Sequence, residues 1–153
     1  LFAASCHAGA IMAGASRVTQ EALKGYGLNF GIAFQMMDDC LDLIASEKDL
    51  GKEPGADFRA GELTLPILNL LETVPVLQRV EVRKILAKGR CPKSFKKIRS
   101  MFFDSQALLK TKNTVLSFIS SAKDELRVFS DSAYKRSLLS LADFITRRGF
   151  GSN

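Results

Sequence analysis

The sequence has no tryptophan and only two tyrosines. Its three cysteines, Cys6, Cys40 and Cys91, are odd in number and far apart, and no C-x-x-C occurs. That pattern speaks against a disulfide framework and against zinc, and for free thiols in a reducing, cytoplasmic compartment. No stretch of about 18 apolar residues runs without a charge, so no membrane span is expected. Leu1 to Ala15 is apolar and rich in small residues but lacks the basic leader of a signal peptide. It starts without Met and in the middle of a helical pattern, as expected of a chain whose natural N-terminus lies elsewhere. Strand-like alternation, internal repeats and low-complexity tracts are also missing. The G-K-x-x-G spelling at Gly51 to Gly55 lacks the upstream Gly and the Ser/Thr after Lys that a phosphate-binding P-loop requires.

What remains is the composition of one globular domain, 46% hydrophobic and 25% charged over 153 residues, with 11 phenylalanines for a core. Charge is unevenly spread. Residues 1–66 hold 5 Lys/Arg and 9 Asp/Glu, a net of −4, and residues 67–153 hold 17 and 7, a net of +10. A basic half can serve an anionic partner. Here the basic residues are scattered over several amphipathic segments without interleaved aromatics, which fits solvated helix faces and no nucleic acid.

Helical periodicity organises the whole chain. A small-residue helix is expected over Leu1 to Ala15. Ser16 and Thr19 offer caps for a long helix from Arg17 to Ala45. Ser46 to Leu63, with Gly51, Pro54, Gly55 and Gly61, reads as the one long loop, and a loop of that length is often functional. Its Lys52 and Arg59 could reach over neighbouring acids. Thr64 and Pro66 start a helix to Leu71 or Thr73. Pro75 opens the next, with Val76, Leu77, Val80, Ile85 and Leu86 as its core face. Ser94 caps a segment through Phe103, and Ser105 or Thr111 precedes a helix carrying Leu108 to Ile119. Asp131 to Arg148 forms the last helix, ended by Gly149.

One stretch stands out against this background: Phe34-Gln35-Met36-Met37-Asp38-Asp39-Cys40-Leu41-Asp42. Like charges one turn apart destabilise a helix by a few tenths of a kcal/mol each. Among Phe, Met and Leu the carboxylates need a partner still more. At about 100° per residue, Gly27, Gly31, Gln35, Asp38, Asp39 and Asp42 share an arc of about 120°. Small residues at one end and acids at the other suit a groove for an elongated ligand with a charged head. The glycines read equally well as sites of helix–helix contact. Asp38, Asp39 and Asp42 are hard oxygen donors, as magnesium prefers when it shares one or two carboxylates with a phosphate. Lys52 is the nearest basic group for that phosphate, and Gln35 can present an amide oxygen to developing positive charge.

The ordered block Phe34 to Asp42, Gly51-Lys52-Glu53-Pro54-Gly55-Ala56-Asp57-Phe58 and Gly61-Glu62-Leu63-Thr64-Leu65-Pro66 resembles the second aspartate-rich motif and following loop of the trans-isoprenyl diphosphate synthases. The resemblance implies an all-α fold of long helices around a central cavity, as a homodimer. It also implies a magnesium-dependent condensation of an allylic diphosphate with isopentenyl diphosphate. By position, Asp38 would bind magnesium directly, with Asp39 and Asp42 in support. Lys52 would hold diphosphate, Gln35 would face the carbocation region, Asp57 would stand behind them, and Gly27 and Gly31 would line the chain-binding cavity. Two departures accompany it. Glu62 stands where the family often has Lys. The first aspartate-rich motif, the isopentenyl diphosphate site and the Lys-Thr pair are missing, so the chain looks like the C-terminal half of a synthase. Two roles follow: a half that is catalytic when joined to the N-terminal half, or a non-catalytic partner subunit.

Overall fold

Ser16 starts the longest helix. Its hydroxyl accepts a hydrogen bond from the Thr19 amide at 3.3 Å and meets the Thr19 hydroxyl at 3.0 Å, which satisfies one of the donors a helix start leaves open. The structure is a computed structural model that describes residues 1–46, 51, 53–88 and 91–151. Among the described residues the chain forms α1 (Phe2–Met12), α2 (Arg17–Ile44), α3 (Ala56–Ala60), α4 (Leu65–Thr73), α5 (Val76–Lys88), α6 (Pro92–Asp104), α7 (Ala107–Glu125), a 3-10 turn (Leu126–Val128) and α8 (Ala133–Phe150), and no strand. The all-α expectation holds. The chain gathers into two compact units, residues 1–37 with 114–153, and residues 38–113.

In the first unit α1 stops at Met12, sooner than expected, because Gly14 takes a left-handed backbone at φ 65°. The core is drawn from three helices: Tyr26, Phe30, Ala33 and Met37 of α2, Val115, Ile119 and Ala122 of α7, and Ala142 and Ile145 of α8, all buried. Each large side chain among them contributes about 1.5–3 kcal/mol by leaving water. The Tyr26 hydroxyl donates to the Leu138 carbonyl at 2.9 Å, and Lys123 pairs with Asp143. The last helix runs through Gly149 to Phe150 and is closed by Gly151 instead. Gly149 has a different reason to be glycine: a Cβ there would collide with the sulfur of Met37, which is 1% exposed.

Burial pushes the Tyr26 phenol up to about 12, with a smaller contribution from Cys6. The native state therefore keeps a proton that the unfolded chain releases from pH 10 upward. Tyr26 adds stability that is complete below pH 10 and fades as pH climbs from there toward about 12. Ultraviolet titration should show one tyrosine ionising late in the native protein and no late phase in denaturant.

In the second unit α4 packs against both α5 and α6, around Leu70, Val82, Phe95, Ile98 and Phe102, none more than 8% exposed. A buried polar pair sits in this core. Asn69 donates to the Thr111 hydroxyl at 3.0 Å, which itself donates to the Ala107 carbonyl at 2.8 Å. Thr111 is thus a core residue inside α7, and Ser105 is the group that opens that helix, accepting from the Ala107 amide at 3.2 Å. Likewise α6 starts at Pro92 with Cys91 as its cap position, ahead of the expected Ser94. The cysteines are free, as expected.

Part of one expected core face is on the outside. Val76, Leu77 and Val80 of α5 are 69%, 86% and 46% exposed, whereas Leu86 is in the core as expected and Val82 joins it there. Apolar residues surround the first half of α5, so periodicity could not pick its inner side. Arg79 makes the choice visible: its guanidinium donates to the Glu72 and Val74 carbonyls at the end of α4, which fixes the rotation of α5 against α4.

Candidate functional site

The acidic end of α2 is built on Asp42. Its neighbours Cys40, Leu41 and Leu43 are buried, and Asp42 itself is 7% exposed. A carboxylate there needs partners, and the loop supplies them. Oδ1 accepts from the Ala56 amide at 3.2 Å and Oδ2 from the Asp57 amide at 3.0 Å, while the Asp42 carbonyl accepts from the Gly55 amide at 2.9 Å. Asp42 is therefore the remote cap of α3, whose own cap position, Gly55, has no side chain. Gly55 sits at φ 88°, and a Cβ on it would come within 2.7 Å of the Phe95 ring. Phe58, buried on α3, packs on that same ring with centroids 5.7 Å apart. At the other end of the turn, the Arg99 guanidinium donates to the Ile44 carbonyl at 2.6 Å, a cation placed on the last carbonyls of α2.

Asp42→Ala should expose the consequence. Two amides of α3 lose their acceptor, which lowers stability by about 1–3 kcal/mol. Denaturant unfolding measures the loss, and amide exchange at Ala56 and Asp57 should accelerate ahead of the rest of the unit. Asp42→Asn, with one acceptor oxygen, should recover part of both.

Asp38 and Asp39 are half-buried, one turn before Asp42. Among the described residues, no three His, Cys, Asp or Glu side chains form a metal-holding group. Two adjacent carboxylates, with the third turned to backbone amides, are a donor set of hard oxygens. They fit a small divalent ion that takes one or two carboxylates and completes its shell with phosphate oxygens and water. Lys52 lies outside the described residues. Arg59 does not reach toward the acids as expected. It donates to the Pro54 carbonyl at 2.9 Å and lies 3.5 Å from the Glu53 carboxylate, bracing its own loop.

In the first unit, Phe2, Gly27, Leu28, Gly31, Phe34 and Gln35 line an open groove of about 450 Å³. The glycines do both things the sequence allowed. A Cβ on Gly27 would come within 2.5 Å of the Phe2 carbonyl oxygen and 2.9 Å of the Ala3 Cα, and one on Gly31 within 2.9 Å of the Phe2 ring. They let α1 lie on α2, and they line the groove with Gln35 at its rim. Phe2 and Phe34 were not on the glycine–acid arc. They enter the wall because Phe2 packs edge-on to Phe30 and tilted to Phe34, with centroids 5.1 and 5.4 Å apart. Nothing local in the sequence marks Phe2 or Arg99 for these places, since each is set by a partner on another helix.

The described residues thus make an all-α protein whose long acidic helix ends in a loop capped by its own aspartate. The chain belongs to the polyprenyl synthetase family, whose model matches residues 1–102. It is 36% identical over 152 residues to a geranylgeranyl diphosphate synthase of Methanosarcina mazei, covering 98% of this chain and 45% of that one. It is 34% identical over 142 residues to a probable mitochondrial hexaprenyl pyrophosphate synthase of Neurospora crassa, covering 93% and 31%. Among solved structures, a polyprenyl synthase of Caulobacter crescentus, in complex with calcium and isoprenyl diphosphate, is 34% identical and superposes with a TM-score of 0.87 over 97% of this chain and 45% of its own. The chain spans less than half the length of these relatives.

Proposed function

We propose that this chain is the part of a prenyl diphosphate synthase that carries the second aspartate-rich motif, and that it acts with an N-terminal half of the kind its relatives possess. The reaction is head-to-tail condensation of an allylic diphosphate with isopentenyl diphosphate. The observation that carries this reading is the division of labour among the three acids. Asp42 is committed to the α3 amides, and this anchors the loop beside Asp38 and Asp39. The calcium and isoprenyl diphosphate in the Caulobacter relative support a divalent ion and that ligand class.

Asp38 and Asp39 would hold magnesium, which supplies positive charge to neutralise a departing diphosphate. Lys52 would take diphosphate oxygens as a point charge. Gln35 would turn its amide oxygen toward the cationic carbon, and the Gly27–Gly31 groove would take the apolar chain. Asp57, at the start of α3, keeps the loop in place through its amide. We read the protein as a cytoplasmic homodimer. The full-length protein, given both diphosphates and magnesium, should release pyrophosphate and a longer prenyl diphosphate, and chelation should stop it. No product with any allylic primer sinks the reading.

A second reading rests on Glu62, exposed just past α3, where the family often has a Lys. A non-catalytic subunit would be silent alone and would change the product length of a complete partner synthase on mixing.

A further inference from the structure

The outer side of α5 combines two features that a solvated helix does not need together. Val76, Leu77 and Val80 stand in water at 69%, 86% and 46% exposure, and Arg83 and Lys84, also exposed, continue the same arc toward the helix end. Helix α6 lies beside it. Both pack on α4, and Lys97 of α6 pairs with Glu81 of α5. The outer side of α6 adds exposed Lys93 and Lys96. Residues 76–101 hold nine Lys/Arg and one Asp/Glu, a net of +8, and the one acid, Glu81, is already taken by Lys97. Among the described residues, Arg83, Lys84, Lys93 and Lys96 make no ion pair. Single exposed apolar side chains are ordinary. Three in adjacent positions, rimmed by uncompensated positive charge, are the arrangement of a surface that rests in a headgroup layer.

We propose that the α5–α6 face docks on an anionic lipid bilayer. Val76, Leu77 and Val80 enter the boundary between headgroups and acyl chains, and Arg83, Lys84, Lys93 and Lys96 meet the lipid phosphates. The aliphatic tips decide between a bilayer and a nucleic acid. They gain only by leaving water, and a phosphate backbone offers them nothing, whereas nucleic-acid sites pair basic groups with polar or aromatic ones. Attachment is peripheral, since no helix among the described residues is long and apolar enough to cross a membrane. If the prenyl-transfer reading holds, this face would keep the protein where an apolar product partitions. The docking itself does not depend on that reading.

The test uses the full-length protein and vesicles of phosphatidylcholine alone or mixed with phosphatidylglycerol, followed by co-sedimentation at low and physiological salt. Binding is expected to the mixed vesicles only, and to weaken with salt. Lys84→Gln, Lys93→Gln and Lys96→Gln together should weaken it about 100-fold, and Leu77→Ser several-fold. The corresponding Lys→Arg triple should bind as the parent does. These positions are all exposed, so circular dichroism should be unchanged in every variant. Equal binding to both vesicle types, no binding, or insensitivity to Leu77→Ser overturns the proposal. So does binding to duplex DNA in the absence of vesicle binding.

Discussion

Asp38→Asn in the full-length protein should reduce magnesium-dependent prenyl transfer by about a hundred- to a thousandfold. Asparagine keeps the size and much of the hydrogen bonding of aspartate but removes the charge that an ion requires. Asp38 is half-buried, and the Ala56 and Asp57 amides of α3 are held by Asp42. The comparison with Asp42→Asn separates the two roles. The Asp42 change should show first as lost stability, with activity following it down. The Asp38 change should show as lost turnover and a raised magnesium requirement, with the α3 amides still held by Asp42. Undiminished turnover in Asp38→Asn would remove Asp38 from the ion site.

The second large effect is at Gly27. A methyl group there meets the Phe2 carbonyl oxygen and the Ala3 Cα, which belong to helix backbone and cannot rotate aside. Gly27→Ala should therefore destabilise the protein by about 1–3 kcal/mol, although alanine is the better helix former by about 1 kcal/mol. Gly9 in α1 is the control, since a Cβ built on it touches nothing within 4 Å. Gly9→Ala should raise stability by about 0.5–1 kcal/mol. Opposite signs at the two glycines, read by denaturant unfolding, are the expected result. Equal gains at both would mean that α1 does not lie on α2 at Gly27.

Much of the helix map was legible because it depends on near neighbours. Ser16 ahead of the α2 pattern and Pro66 in the first turn of α4 both act within a turn, and the structure has those helices where they were expected. The five-residue helix α3 was not legible. It is too short to be stable on its own, and its cap, Asp42, lies 14 residues back along the chain. Gly149 was legible as a glycine with a purpose but not for the right reason. Its neighbour in sequence suggested a helix end, and its neighbour in space is Met37. The outward turn of Val76, Leu77 and Val80 was hidden for a similar reason, because Arg79 and the carbonyls ending α4 choose the rotation.

By itself, the sequence determined that this is an all-α chain with three like charges at the end of its longest helix, because periodicity, caps and charge spacing are local properties of the chain. Tertiary structure decided what Asp42 holds in place and what Gly27, Gly55 and Gly149 make room for. A carboxylate's partners are the amides or cations that packing brings to it, and a missing Cβ matters only where another backbone arrives. For this reason Asp42 became a cap, Gly27 a contact and part of one expected core face a surface.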